Sequence, residues 1–485
     1  MISFKIVKIT SLESYDSLKE VIPTQLIDDE TTKVLKKYLG KNCDKLLAEY
    51  PYYDEDYLST YYIHHSQKLR PYDKLCCRLH VLKNEEYYGY ITLRPTTPGT
   101  KLGKTFLRPE LLLKEPAYLM LYNFNAHVVG NEMKIRSFPW KSQETDISVC
   151  AHTATWTILR YFGNKFRNYA DTTIGELVEH TKNDWGRKTP SLGLTPVQVS
   201  DLFKDYNFSP LILQYNNEDC KDNDKKLYKF LDELVAYIES GIPMIGFLYP
   251  IKHAVSIIGH GSINYAILDD DTLIDNLKDK EINIIPHSRL IRDLYVMDDT
   301  CFAYQKMSSN ELPSQTSDVD YWLAELKYAV VPLYRRMQLA YSEVYERFRV
   351  WRKEKVMNWE KLCVCRIYIT SANSLKREAI NSPNMNDTLK DVILNMTLSK
   401  FVWCIDLASP NNFKAHLTSG QILIDTTAPT FEENIWLMRH DGERIEFIDI
   451  ENSNMVNTNQ YSVIKTEIQP YNEYINNLTV INPQN

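Results

Sequence analysis

Residues 142–162 read SQETDISVCAHTATWTILRYF. In this segment Gln143 precedes Cys150 by seven positions, and Cys150 stands where a helical apolar pattern begins. If a helix starts near Val149, then Ala151, Ala154, Ile158, Leu159 and Phe162 fall on one side, the stripe that a core-facing helix needs. Cys150 then occupies the first turn. There the unpaired backbone amides and the positive end of the helix dipole favour a thiolate, the form that attacks a carbonyl carbon. Gln143 could add its side-chain amide to the Cys150 backbone N–H as a second donor to an oxyanion. Without such neighbours a cysteine in a core is only a small apolar residue.

A thiol nucleophile needs a base. His152 lies two residues on, which turns it by roughly 200° around the helix and away from Cys150. His253 fits better, because it opens HAVSIIGHG directly after a turn from IPMIGFLY. Packing asks for no polar group at the head of so apolar a strand. The run DLYVMDD, residues 293–299, reads as a further apolar strand that ends on two carboxylates. One of them would hold the imidazole in the tautomer and orientation that a base requires. Asp298 is the residue assigned to this role, with Asp299 as the open alternative.

Other motifs lead elsewhere. GTKLGKT at 99–105 has three residues between Gly99 and Gly103, whereas a phosphate-cradling loop needs four, so the stretch reads as a hairpin loop. Cys363 and Cys365 would share one face of a strand, but no second pair of ligands stands near them to complete a zinc site. His64 and His65 are adjacent, cannot both face one ion from a regular element, and read as surface or half-buried residues. No cofactor or metal site is expected.

These residues must be carried by a larger framework. The chain has 485 residues, 25% of them charged and 44% hydrophobic, with a net charge of −7. This is the composition of a multidomain globular protein, and it offers neither the basic footprint of a nucleic-acid binder nor an attraction to anionic membranes. Nine scattered cysteines, no signal-peptide pattern and no apolar run long enough to span a bilayer point to a cytoplasmic protein. Three blocks are expected: 1–135, mixing helix and strand; 136–306, bearing the chemistry; and, after a linker at 308–318, a block 318–485. In the last block Ser317 and Asp320 would open one long amphipathic helix, followed by strands and a hairpin turning at Asp441–Gly442.

The order Gln143, Cys150, His253, Asp298, on a helix start, a strand and a strand end, resembles the papain-like cysteine peptidases, and within them the C39-like branch. The resemblance covers about 170 of the 485 residues. It implies an α+β, papain-like catalytic domain, set between a block before it that reads as α+β and a block after it that reads as α/β-rich. It also implies a thiolate nucleophile at Cys150, His253 as general base, Asp298 as its orienter and Gln143 in the oxyanion hole. The substrate would be a protein or peptide, cleaved at a peptide or isopeptide bond. Acyl transfer of the transglutaminase kind, with the same triad, and a catalytically idle binding module are the alternatives. The C-terminal block would then serve substrate recruitment or a regulatory protein partner.

Overall fold

In the computed structural model, the two apolar runs 244–248 and 253–261 form an antiparallel hairpin, Met244–Leu248 and His253–Gly261, with Leu248 opposite His253. The structure describes residues 2–96, 100–144, 147–181, 191, 193–215, 223–308, 321–322, 325–359, 361–429, 435–448 and 461–483. Apart from half-buried His253, every residue of the hairpin strands is buried. That is why they read as continuous apolar runs rather than alternating ones.

The hairpin is the middle of a nine-stranded sheet. Beyond His253–Gly261 lie Asp293–Met297, Gln305–Ser308 and Tyr321–Trp322; beyond Met244–Leu248 lie Leu326–Tyr334 and Phe208–Gln214. Ala117–Leu119 pairs with the far end of the histidine strand and carries Thr479–Ile481 on its other side. Strand pairing therefore crosses the boundaries expected near 135 and 318, and a single buried apolar cluster extends from Val7 to Ile481.

Leu326–Tyr334 departs from the expected long helix. The chain there forms a strand, and only Tyr341–Lys353 is helical. Val330 and Val331 favour extended backbone, and Pro332 lacks the N–H that a helix interior needs. The strand pairs on both edges, with Met244–Leu248 and Phe208–Gln214. Most of the expected linker, with Ser317 and Asp320, lies outside the described residues.

Two further sheets flank this one. The first is five-stranded and antiparallel: Ser3–Lys8, Lys45–Tyr52, Cys76–Lys83, Glu86–Leu93 and Leu102–Leu107. The helix Asp29–Tyr38 precedes the second of these strands; Gly40, with φ 51°, follows the helix end and the chain then turns into Lys45–Tyr52. The expected hairpin loop at 99–105 is shorter than predicted. Gly99 lies outside the described residues, and Lys104 sits in the strand Leu102–Leu107, buried between Asp54 at 3.1 Å and Asp56 at 3.0 Å. The second sheet has seven strands, Ile284–Pro286, Cys363–Ser371, Phe401–Ala408, Gly420–Asp425, Trp436–His440, Arg444–Ile448 and Tyr461–Lys465. Its hairpin turns at Asp441–Gly442, where Gly442 has φ 93°. Cys365 is buried in this sheet beside half-buried Cys363. With 32% helix and 35% strand the protein is of the mixed α+β class. Among the described residues no helix is long and apolar enough to cross a membrane.

Candidate active site

Cys150 is the first residue of the helix Cys150–Lys165. Val149 precedes it in extended backbone and contributes no side-chain cap, so no side chain competes for the first-turn N–H groups. The helix was expected to bury one stripe; instead every residue from Ala151 to Phe162 is buried. It packs on the hairpin strands and also on the helices Ile174–His180 and Pro196–Asp205, so it has no solvent face along that stretch. Thr157 and Ser256 fasten helix to strand, their hydroxyls 2.7 Å apart, and Ser256 also donates to the Ala154 carbonyl at 3.1 Å. This clamp lies seven residues after Cys150 and three after His253, and it fixes the two reactive ends relative to one another.

His253 heads its strand, and Asp298 follows the last residue of Asp293–Met297, the neighbouring antiparallel strand. His253 Nε2 lies 3.0 Å from Asp298 Oδ1 and 3.8 Å from Asp299 Oδ1. The Cys150 side chain also bears on this imidazole, as one of the hydrogen-bonding influences that favour its charged form. Burial works against the imidazolium. The hydrogen bonds to Asp298 and Cys150 and the charges of both aspartates outweigh it, and the His253 pKa is raised to about 10.

The two aspartates have different surroundings. Asp298 Oδ1 also accepts from the Thr300 N–H and Oγ1, each at 2.8 Å, and Trp140 Nε1 donates to the Asp298 carbonyl at 2.6 Å. Its carboxylate is therefore fixed in orientation. Asp299 is buried with less support, and burial raises its pKa to about 7 against the opposing pull of His253.

Gln143 is half-buried on the segment that leads to Cys150, and its backbone carbonyl accepts from Arg94 Nη2 at 2.8 Å. The same guanidinium donates to the Ser142 hydroxyl at 2.8 Å and to Glu144 Oε1 at 2.7 Å. Glu144 in turn faces Lys141 Nζ at 3.0 Å and His65 Nε2 at 3.1 Å. Burial opposes the Glu144 charge, yet Lys141, Arg94 and His65 together hold it well below the usual carboxylate range. His65 was expected at the surface or half-buried; it is buried, and it closes this network. His152 does point elsewhere, to Thr181 Oγ1 at 3.1 Å, and burial lowers its pKa to about 4.

The structure thus brings Cys150, His253 and Asp298 together and anchors the backbone of Gln143, which precedes Cys150 in the chain. Sequence reasoning missed Arg94, Glu144, Trp140 and Thr300. Only Thr300 had a local signal, since a hydroxyl two residues after an aspartate commonly bonds back to it.

His253, Asp298 and Asp299 also offer three potential metal-ligand atoms within 4.8 Å of one another. The donor set fits a cation poorly. A ligating imidazole must give up its proton, which these carboxylates hold in place to about pH 10, and Asp298 Oδ1 is already taken by Thr300. Compared with protein-family models, with curated proteins and with solved structures, the chain gives no match in any of the three.

Proposed function

We propose that this chain is a cysteine peptidase-like thiol hydrolase, papain-like and of the C39-like kind, that cleaves a peptide or isopeptide bond in a protein or peptide substrate. The observation that carries the reading is the imidazole of His253 held between the Cys150 thiol and the Asp298 carboxylate. The thiolate of Cys150 attacks the amide carbon, and the carbonyl oxygen becomes an oxyanion received by the Cys150 N–H and the Gln143 amide. The imidazolium protonates the departing amine, leaving a thioester on Cys150. His253, now neutral, takes a proton from water as the water attacks that thioester, and the acid product leaves with the thiolate restored. Asp298 keeps the ring oriented throughout and does not itself take the proton. The scattered cysteines are in keeping with a reducing, cytoplasmic setting.

The test is intact-mass labelling with a peptide-like thiol electrophile, followed by peptide mapping. A single fast adduct on Cys150, absent from Cys150→Ala and slowed in His253→Ala, is the expected result. A fast adduct elsewhere, together with full hydrolytic activity in Cys150→Ala, would overturn the assignment. Release of an amine without uptake of water, when a second amine is supplied, would redirect it to acyl transfer.

A further inference from the structure

Away from the triad, a cavity of about 460 Å³ opens between the N-terminal block and the edge of the central sheet. Four lysines line it, Lys37, Lys41, Lys114 and Lys306, and Glu115 is the sole carboxylate among its described lining residues. They come from four places: the helix Asp29–Tyr38, the turn after it, the segment following the short helix Pro109–Leu111, and the strand Gln305–Ser308. In a chain whose net charge is −7, a concavity lined by four lysines and one carboxylate is a local positive region that attracts anions.

A bland reading covers part of this. Lys36 and Lys37 sit in the last turn of their helix, where cations complement the dipole, but Lys36 turns to Asp16 while Lys37 lines the cavity. Lys306 is ion-paired with Glu115 and has Asp293 at 3.5 Å. Neither account reaches Lys41 and Lys114. The wall is firm: the Tyr38 ring stacks on Phe302 at 5.0 Å.

We infer that this cavity is a binding site for a small polyphosphate, free or as the phosphate chain of an organic molecule. Lysine ammonium groups bind phosphate as mobile point charges. The volume lies within the range of about 300–1,000 Å³ for small-molecule sites, which leaves room for several linked phosphates. The inference stands apart from the thiol chemistry and survives if that reading fails.

Calorimetry on the full chain tests it, with inorganic tripolyphosphate in one arm and a nucleoside triphosphate in the other. The expected result is one-to-one binding that weakens as salt rises. Lys41→Glu combined with Lys114→Glu should weaken it by at least about tenfold, and the milder Lys41→Gln with Lys114→Gln by less. Both positions are exposed, and unchanged melting temperatures would exclude misfolding. Binding in both arms assigns recognition to the phosphate chain, and binding of the nucleotide alone adds a contact to its organic part; either supports the site. The inference is overturned if neither compound binds, if the charge-reversed protein binds equally well, or if poly-glutamate binds while both phosphates do not.

Discussion

At the residue scale, the cysteines among the described residues are set apart by their surroundings. Burial pushes the thiols of Cys76, Cys365 and Cys404 well above the ordinary range and that of Cys77 to about 12. Cys150 instead stands at a helix start beside an imidazole, which is why labelling should select it. In the proposed hydrolysis, His253→Ala should lower turnover by about 10²–10⁴-fold, the usual worth of a positioned acid–base group. Since the His253 pKa is raised to about 10, activity should persist through neutral pH and fall as pH approaches that value and the imidazolium is lost. Asp298→Asn should pull this alkaline limb to lower pH, because it removes the largest of the influences that raise the pKa. Asp299→Asn should move the limb less and stabilise the fold at pH 8. A carboxyl whose pKa is raised to about 7 by burial makes the native state less stable as pH climbs from the ordinary carboxyl value through 7. Initial rates against pH and melting temperatures at pH 4 and pH 8 separate the two aspartates. The linked effect for His253 has the opposite profile. Its stabilisation is complete below its ordinary value of 6.5 and is lost as pH rises through about 10.

At the scale of elements, the segment before Cys150 is held by charge and the helix behind it by hydroxyls. Arg94→Met would leave Glu144 buried without its guanidinium, and such losses cost about 3–5 kcal/mol. The expected outcome is a large drop in melting temperature, only partly recovered by Arg94→Lys, which cannot reach Ser142, Gln143 and Glu144 at once. Because Glu144 titrates below the ordinary carboxylate range, the contribution of this network is complete above about pH 4.5 and is lost as pH falls through its folded value. For the clamp between helix and strand, Thr157→Val or Ser256→Ala alone breaks the hydroxyl–hydroxyl bond and leaves the surviving hydroxyl on the Ala154 carbonyl, at about 0.5–1.5 kcal/mol each. The double variant should cost less than the two added together, and a denaturation cycle measures that difference.

For the whole molecule, the central sheet draws strands from every part of the chain. Removing residues 318–485 would take away Leu326–Tyr334 and bare the edges of Met244–Leu248 and Phe208–Gln214. Unpaired apolar strand edges invite aggregation, so the truncated protein should be insoluble, as expression and sedimentation will reveal. The C-terminal sheet is also bolted to the histidine strand. Arg366 Nε donates to Glu239 Oε2 at 2.8 Å, and His260, on that strand, lies 2.8 Å from Glu239 Oε1. All three side chains are buried.

The sequence by itself determined the helix that starts at Cys150, the strand that starts at His253 and the strand that ends at Met297. Each is written locally, in apolar runs a few residues long that turn-forming residues interrupt. It left Asp298 and Asp299 equivalent, because two adjacent carboxylates after a strand differ only in what folds against them, here Thr300, Trp140 and His253. Nor did it reveal that Arg94 would serve Glu144 from 50 positions away, or that a run with helical spacing at 326–334 would become a strand. Those outcomes depend on partners distant in the chain: burial on both edges of Leu326–Tyr334 overrides local periodicity, and a buried charge takes whichever opposite charge the fold brings to it.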